Sequence, residues 1–118
     1  MIAAATALVG EFRTSEDCFA GGVAAAILSR TGRIYTGICI DTECSMGFCA
    51  EHAAAAEMLK AREAEIAVVV AVMVNHGVVY PCGRCRGFML QLHPSNRRTR
   101  VILPHNRSAT LAELLPRP

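Results

Sequence analysis

The sequence contains no tryptophan, and tyrosine and phenylalanine together make up only 5% of its 118 residues. A core built without large rings must be filled by alanine and branched aliphatics, which suits helices packed closely on a sheet. Long apolar runs are also lacking. The two longest, Ile66 to Val74 and Gly21 to Ser29, fall well short of the roughly 20 residues that span a bilayer, so no membrane helix is expected. The N-terminus has no basic stretch ahead of its alanines and no convincing cleavage site, and is read as mature, cytoplasmic protein. Repeats, linkers and low-complexity segments are missing too. With 53% hydrophobic residues, the chain is expected to form a single domain over 1–118.

Charge is scarce and unevenly spread. Residues 1–83 carry five Lys or Arg against nine Asp or Glu, whereas residues 84–118 carry seven Arg and one Glu. Such a basic tail suits nucleic acid, an anionic substrate or the acidic face of a second copy of the chain. No aromatic residue follows Phe88, so the stacking expected of a nucleic-acid groove is absent and nucleic acid is not the expected partner.

Periodicity supplies the element order. Residues 4–13 read as an N-terminal helix. Residues 22–29 and 33–40 read as a hairpin around the turn at Gly32. Residues 49–65 are alanine-rich without a breaker, and residues 66–74 are apolar throughout, as a strand covered on both faces would be. A helix starts near Cys82 and stops before Pro94. A short strand lies within 99–104, and Ser108 or Thr110 caps a terminal helix. The expected fold is one α/β domain with its elements in layers.

Cysteine, with six residues, is where the chemistry lies. With no secretory signal, spaced cysteines point to metal or catalysis rather than to disulfides. Cys49 opens one helix; Cys82 and Cys85 open another. Each helix follows a loop leaving a strand, so both N-termini bring positive dipole ends and free N–H groups toward one crevice, favouring thiolates. Three thiolates with one open position is the plan of a catalytic zinc site, and Glu51 stands on the first turn beside it, placed to move protons. A redox pair at Cys82 and Cys85 is one alternative. Another is a closed structural zinc site whose fourth ligand is His52, Cys44, His76 or Cys39.

The motif Cys49-Ala50-Glu51 with Pro81-Cys82-Gly83-Arg84-Cys85, Pro81 falling 32 positions after Cys49, resembles the signature of the zinc-dependent cytidine deaminase superfamily. Similarity to blasticidin-S deaminase and the small three-cysteine cytidine deaminases runs over roughly residues 20–116. The resemblance implies a three-layer α/β/α fold with a mixed sheet of four to five strands, and a homotetramer. It implies one Zn2+ per chain on Cys49, Cys82 and Cys85, Glu51 as proton shuttle, and hydrolysis of the 4-amino group of a small aminopyrimidine nucleoside or nucleoside-like compound. Ala50, Tyr80 and Pro81 would meet the base edge. His52, directly after the glutamate, or Arg84 or Arg86 would donate to a ligand sulfur and offset the negative charge of three thiolates. Where relatives grip ribose through an Asn-x-Glu pattern, this chain has Cys39 and Asp41, and a substrate-facing Phe falls near Gly21 or Phe19. A catalytically silent zinc-stabilised protein acting through its basic C-terminal third, and a deaminase of another base, are the alternative functions.

Overall fold

The computed structural model describes residues 1–43 and 46–114. Cys44 and residues 115–118 lie outside them.

The sheet is organised around β2 (Cys18–Ser29), which forms an antiparallel hairpin with β3 (Ile34–Thr42). β4 (Ile66–Met73) lies antiparallel on the other side of β2. Beyond the end of β4, β1 (Phe12–Ser15) continues that side along Cys18 to Ala20. β5 (Gly77–Val79) folds back on β4; β6 (Arg100–Leu103) runs parallel to β4, and β7 (Arg107–Thr110) closes the edge antiparallel to β6. Among the described residues the sheet is mixed, as expected, but has seven strands rather than four to five. The three additional strands, β1, β5 and β7, are three or four residues long and none of their residues is buried, so they carry no apolar alternation for sequence reasoning to detect.

Alternation along β2 divides the core in two. Ala25 and Ile27 face α2 (Ala50–Lys60), α3 (Gly83–Leu92) and the short α4 (Leu111–Leu114), with Met58, Met89 and Leu111 buried between the layers. Ala24 and Ala26 face the opposite way, with Val70 and Val72, against Ala5 of α1 (Ile2–Thr6). Each fully buried Ile or Met contributes about 1.5–3 kcal/mol. The third layer is thus a single five-residue helix, not the one expected over 4–13. The chain turns out of helix to reach Gly10, whose N–H donates to the Gly21 carbonyl at 2.8 Å, and it enters β1 at Phe12.

Alanine and glycine on α2 and β3 set how close the helical layer lies. A Cβ on Gly37 would stand 2.4 Å from the Ala54 backbone nitrogen and 2.6 Å from the Ala53 Cβ, so only glycine lets α2 rest on β3. α2 ends at Lys60 because Arg62 adopts a left-handed φ of 66°. Among the described residues no helix is long and apolar enough to cross a membrane.

Candidate active site

The loop before α2 is pinned to β3. Ile40 and Phe48 exchange two backbone hydrogen bonds of 3.0 Å, and a Cβ on the intervening Gly47 would stand 1.9 Å from the Ile40 carbonyl oxygen. This bridge delivers Cys49 to the N-cap of α2. Cys82 occupies the N-cap of α3, and neither cysteine spends its side chain on a capping bond. Both sulfurs are therefore left at positive helix ends. Cys85 follows one turn later and is fully buried.

The three thiols meet. Cys49 and Cys82 sulfurs are 3.6 Å apart, and those of Cys82 and Cys85 are 3.2 Å apart. Cys49, Cys85 and His52 form a cluster whose donor atoms all lie within 4.8 Å of one another. Thiolates about 2.3 Å from a tetrahedral zinc stand roughly 3.8 Å from each other, so the donor set is close to the size zinc requires. His52 is the fourth donor in reach: its Nδ1 lies 3.7 Å from Cys85 Sγ, and its ring stacks on Phe88 of α3 at a centroid distance of 4.0 Å.

Electrostatics separates the groups. Burial pushes the Cys49 thiol up and the Cys85 thiol far up. At Cys82 burial opposes the thiolate too, but hydrogen bonds from the Cys85 thiol, the Cys85 backbone N–H and the Cys49 thiol outweigh it and hold the group below the ordinary thiol range. Glu51 is 3% exposed, and burial raises its carboxyl above the ordinary range. Burial, followed by the charge of Arg84, lowers His52.

Glu51, Cys49, Ala50, Cys82 and Arg84 form one wall of a cavity of about 550 Å3; the sheet, with Cys39 and Asp41, and Tyr80 in the loop just past β5 supply the other. Val23 N–H donates to Cys39 Sγ at 3.2 Å, and the Cys39 thiol faces Asp41 Oδ2 at 3.6 Å. Two expected residues stand elsewhere. Pro81 is buried behind the cavity, its carbonyl accepting from Arg86 Nε at 2.9 Å, while another Arg86 nitrogen donates to the Leu114 carbonyl. Arg86 thus fastens the α3 N-terminus and α4 instead of reaching a sulfur. His52 lies outside this cavity, with Arg84 and Phe88 around it. Met73 lines the cavity, as do Phe48 and Glu11. No local pattern marks them, because tertiary contacts bring them there: β4 pairing with β2 for Met73, the bridge to Ile40 of β3 for Phe48, and the Gly10–Gly21 tie for Glu11.

A buried carboxylate beside clustered thiols, at two helix N-termini that open into one cavity, is the constellation of a metal-dependent hydrolase. Residues 3–100 match the family described as the cytidine and deoxycytidylate deaminase zinc-binding region. Solved structures similar to this chain include two bacterial cytidine deaminases. One is cytidine deaminase from Mycobacterium tuberculosis, 26% identical over 98% of this chain and 91% of that one, with a TM-score of 0.81. The other is cytidine deaminase from Burkholderia pseudomallei, 27% identical over 98% and 93%, with a TM-score of 0.77. The chain belongs to the cytidine and deoxycytidylate deaminase family: it is a deaminase, a hydrolase of C–N bonds, and its cofactor is zinc.

Proposed function

We propose that this chain hydrolyses the exocyclic 4-amino group of a pyrimidine ring bearing a nucleoside-like substituent, of the cytidine, deoxycytidine or blasticidin S type. Water enters and ammonia leaves, and the amine carbon becomes a carbonyl. The carrying observation is the Glu51 carboxyl, buried in the cavity wall two residues from Cys49 and beside the thiol cluster. Cys49, Cys82 and Cys85 hold the metal. Bound there, zinc would supply an acidified water, its pKa drawn down toward about 7.

Glu51 takes one proton from the attacking water and delivers it to the ring nitrogen next to the reacting carbon; it then takes the second from the newly attached hydroxyl and passes it to the departing amine. A carboxyl that burial makes less acidic can hold that proton between transfers at neutral pH. Ala50, on the first turn of α2, turns its backbone toward the base edge, and Tyr80 bounds the other side. His52, where Nδ1 carries the proton, donates to the Cys85 sulfur and offsets the charge of three thiolates. Cys39 and Asp41 face the substituent of the ring. A thiol is a poorer partner for a sugar hydroxyl than an amide, so recognition there falls mainly to Asp41.

A second reading keeps the zinc but not the chemistry. His52 stands close enough to the thiols to close the fourth position, as in a structural site. Zinc content and ammonia release by the His52→Ala variant separate the two: zinc retained with deamination weakened supports the enzyme, and zinc lost with no deaminase activity in the parent supports the closed site. The assay for the reaction itself is ultraviolet absorbance on cytidine, deoxycytidine and blasticidin S, with ammonia measured in parallel. The family resemblance supports a homotetramer. Sedimentation at the 12.6 kDa of one chain would refute that assembly.

A further inference from the structure

The sheet side of the cavity carries two carboxylates that the deamination chemistry does not use, Glu11 and Asp41. Among the described lining residues only Arg84 carries a positive charge. A backbone device brings Glu11 to the cavity. Gly10 donates to the Gly21 carbonyl at 2.8 Å. Gly21, with φ +85°, leaves room for that approach, because a Cβ there would stand 2.3 Å from the Gly10 carbonyl oxygen. The tie holds residue 11 over the irregularity in β2, with the Glu11 carboxylate beside Gly22, where a Cβ would meet Oε2 at 3.3 Å. Gly22 itself lines the cavity. Among the described residues no hydrogen bond or ion pair engages Glu11, and Asp41 receives only the Cys39 thiol at 3.6 Å.

Resting on the pyrimidine deaminase reading for the placement of the ring, we infer that Glu11 is a specificity-determining residue. With Asp41 it selects a ring substituent presenting hydroxyl or cationic donors and rejects one carrying a phosphate. A carboxylate already placed and unpartnered gains a charge-assisted hydrogen bond from an ammonium or hydroxyl. A phosphate brought to the same place meets two like charges against the single Arg84, and like-charge juxtaposition is an effective means of exclusion.

Three compounds sharing one ring test this: cytidine, 5′-amino-5′-deoxycytidine and cytidine 5′-monophosphate. With the wild type, kcat/KM should fall in the order amino or hydroxyl compound, then phosphate. Glu11→Gln should raise KM for the preferred compound about tenfold, the scale of one charge-assisted bond on a partly open site, with kcat within about twofold, and should narrow the gap to the phosphate. A loss confined to the amino compound assigns the cation; an equal loss on cytidine assigns the hydroxyl. Calorimetric affinities for the same compounds, measured in a Glu51→Gln background that binds without turnover, give a readout independent of activity. Selectivity ratios unchanged by Glu11→Gln in both assays would overturn the inference and leave the deamination reading standing. Binding in the expected order without deamination of any compound by the wild type would sink the deamination reading and leave the role of Glu11 intact.

Discussion

At the scale of single residues, the site depends on one carboxyl and on the side chain after it. Replacing Glu51 by Gln keeps the volume and the metal donors but removes the proton carrier. Ammonia release should fall by about 10²–10⁴-fold, with zinc by mass spectrometry still at one per chain; unimpaired turnover would remove Glu51 from the chemistry. His52 acts one step further out, against Cys85 and Phe88. His52→Ala should therefore retain zinc and reduce kcat by about tenfold, on the scale seen when a group supporting a metal ligand is lost, with His52→Arg restoring part of it. The cysteines, Glu51 and the adjacent histidine were legible in sequence because they are neighbours on two helix turns. Glu11 and Met73 were not, because they enter from strands whose pairing no local pattern records.

At the scale of elements, two glycines make opposite predictions. Gly37 is where α2 rests on β3, and a methyl group there would overlap backbone atoms of Ala54 and Ala50. Gly37→Ala should destabilise by about 1–3 kcal/mol, as overpacking does, and chemical denaturation should show it. Gly87, inside α3, faces open space within the chain. Gly87→Ala should stabilise by about 0.5–1 kcal/mol through helix propensity alone. At the last helix, Thr110 and Glu113 form a reciprocal capping box: Thr110 Oγ1 accepts from Glu113 N–H at 3.2 Å, and Glu113 Oε1 accepts from Thr110 N–H at 2.8 Å. Of the two caps suggested by sequence, Thr110, the last residue of β7, serves, while Ser108 lies inside the strand. The long helix and the buried strand were readable from composition. The N-terminal helix was overextended because Gly10 is tied to Gly21, a contact between residues that periodicity cannot connect.

At the scale of the whole molecule, acid stability has an identifiable source. Glu63, just past the end of α2, accepts hydrogen bonds from the Thr31 and Tyr35 hydroxyls on the β2–β3 turn and on β3. The Thr31 bond and then the Tyr35 bond hold its carboxyl below the usual 4.5. A folded-state value below the unfolded one means that the contribution is fully present above about pH 4.5. It is lost as pH falls through the lowered value. Glu63→Gln should therefore flatten the acid limb of a Tm-versus-pH series while leaving the neutral region less affected; an unchanged acid limb would show that the latch contributes nothing. Chelation should lower Tm as well, because the metal joins α2 to α3 and binds the folded chain preferentially.

What the sequence determined alone was chemistry carried by short-range order: the Cys-x-Glu and Cys-x-x-Cys turns, the helices they open, the apolar strand between them, and hence the zinc and the class of reaction. These survive without tertiary information because Cys82 and Cys85 stand one helical turn apart and Cys49 caps the helix whose first turn carries Glu51, wherever those helices end up. Only the tertiary structure decided the seven-stranded sheet, the position of Pro81 behind the cavity, the placement of His52 against Cys85, and the cavity face that Glu11 and Asp41 provide. Those depend on strand pairing, and on glycines at positions 21, 37 and 47 that bring separate backbones within a distance no side chain would permit.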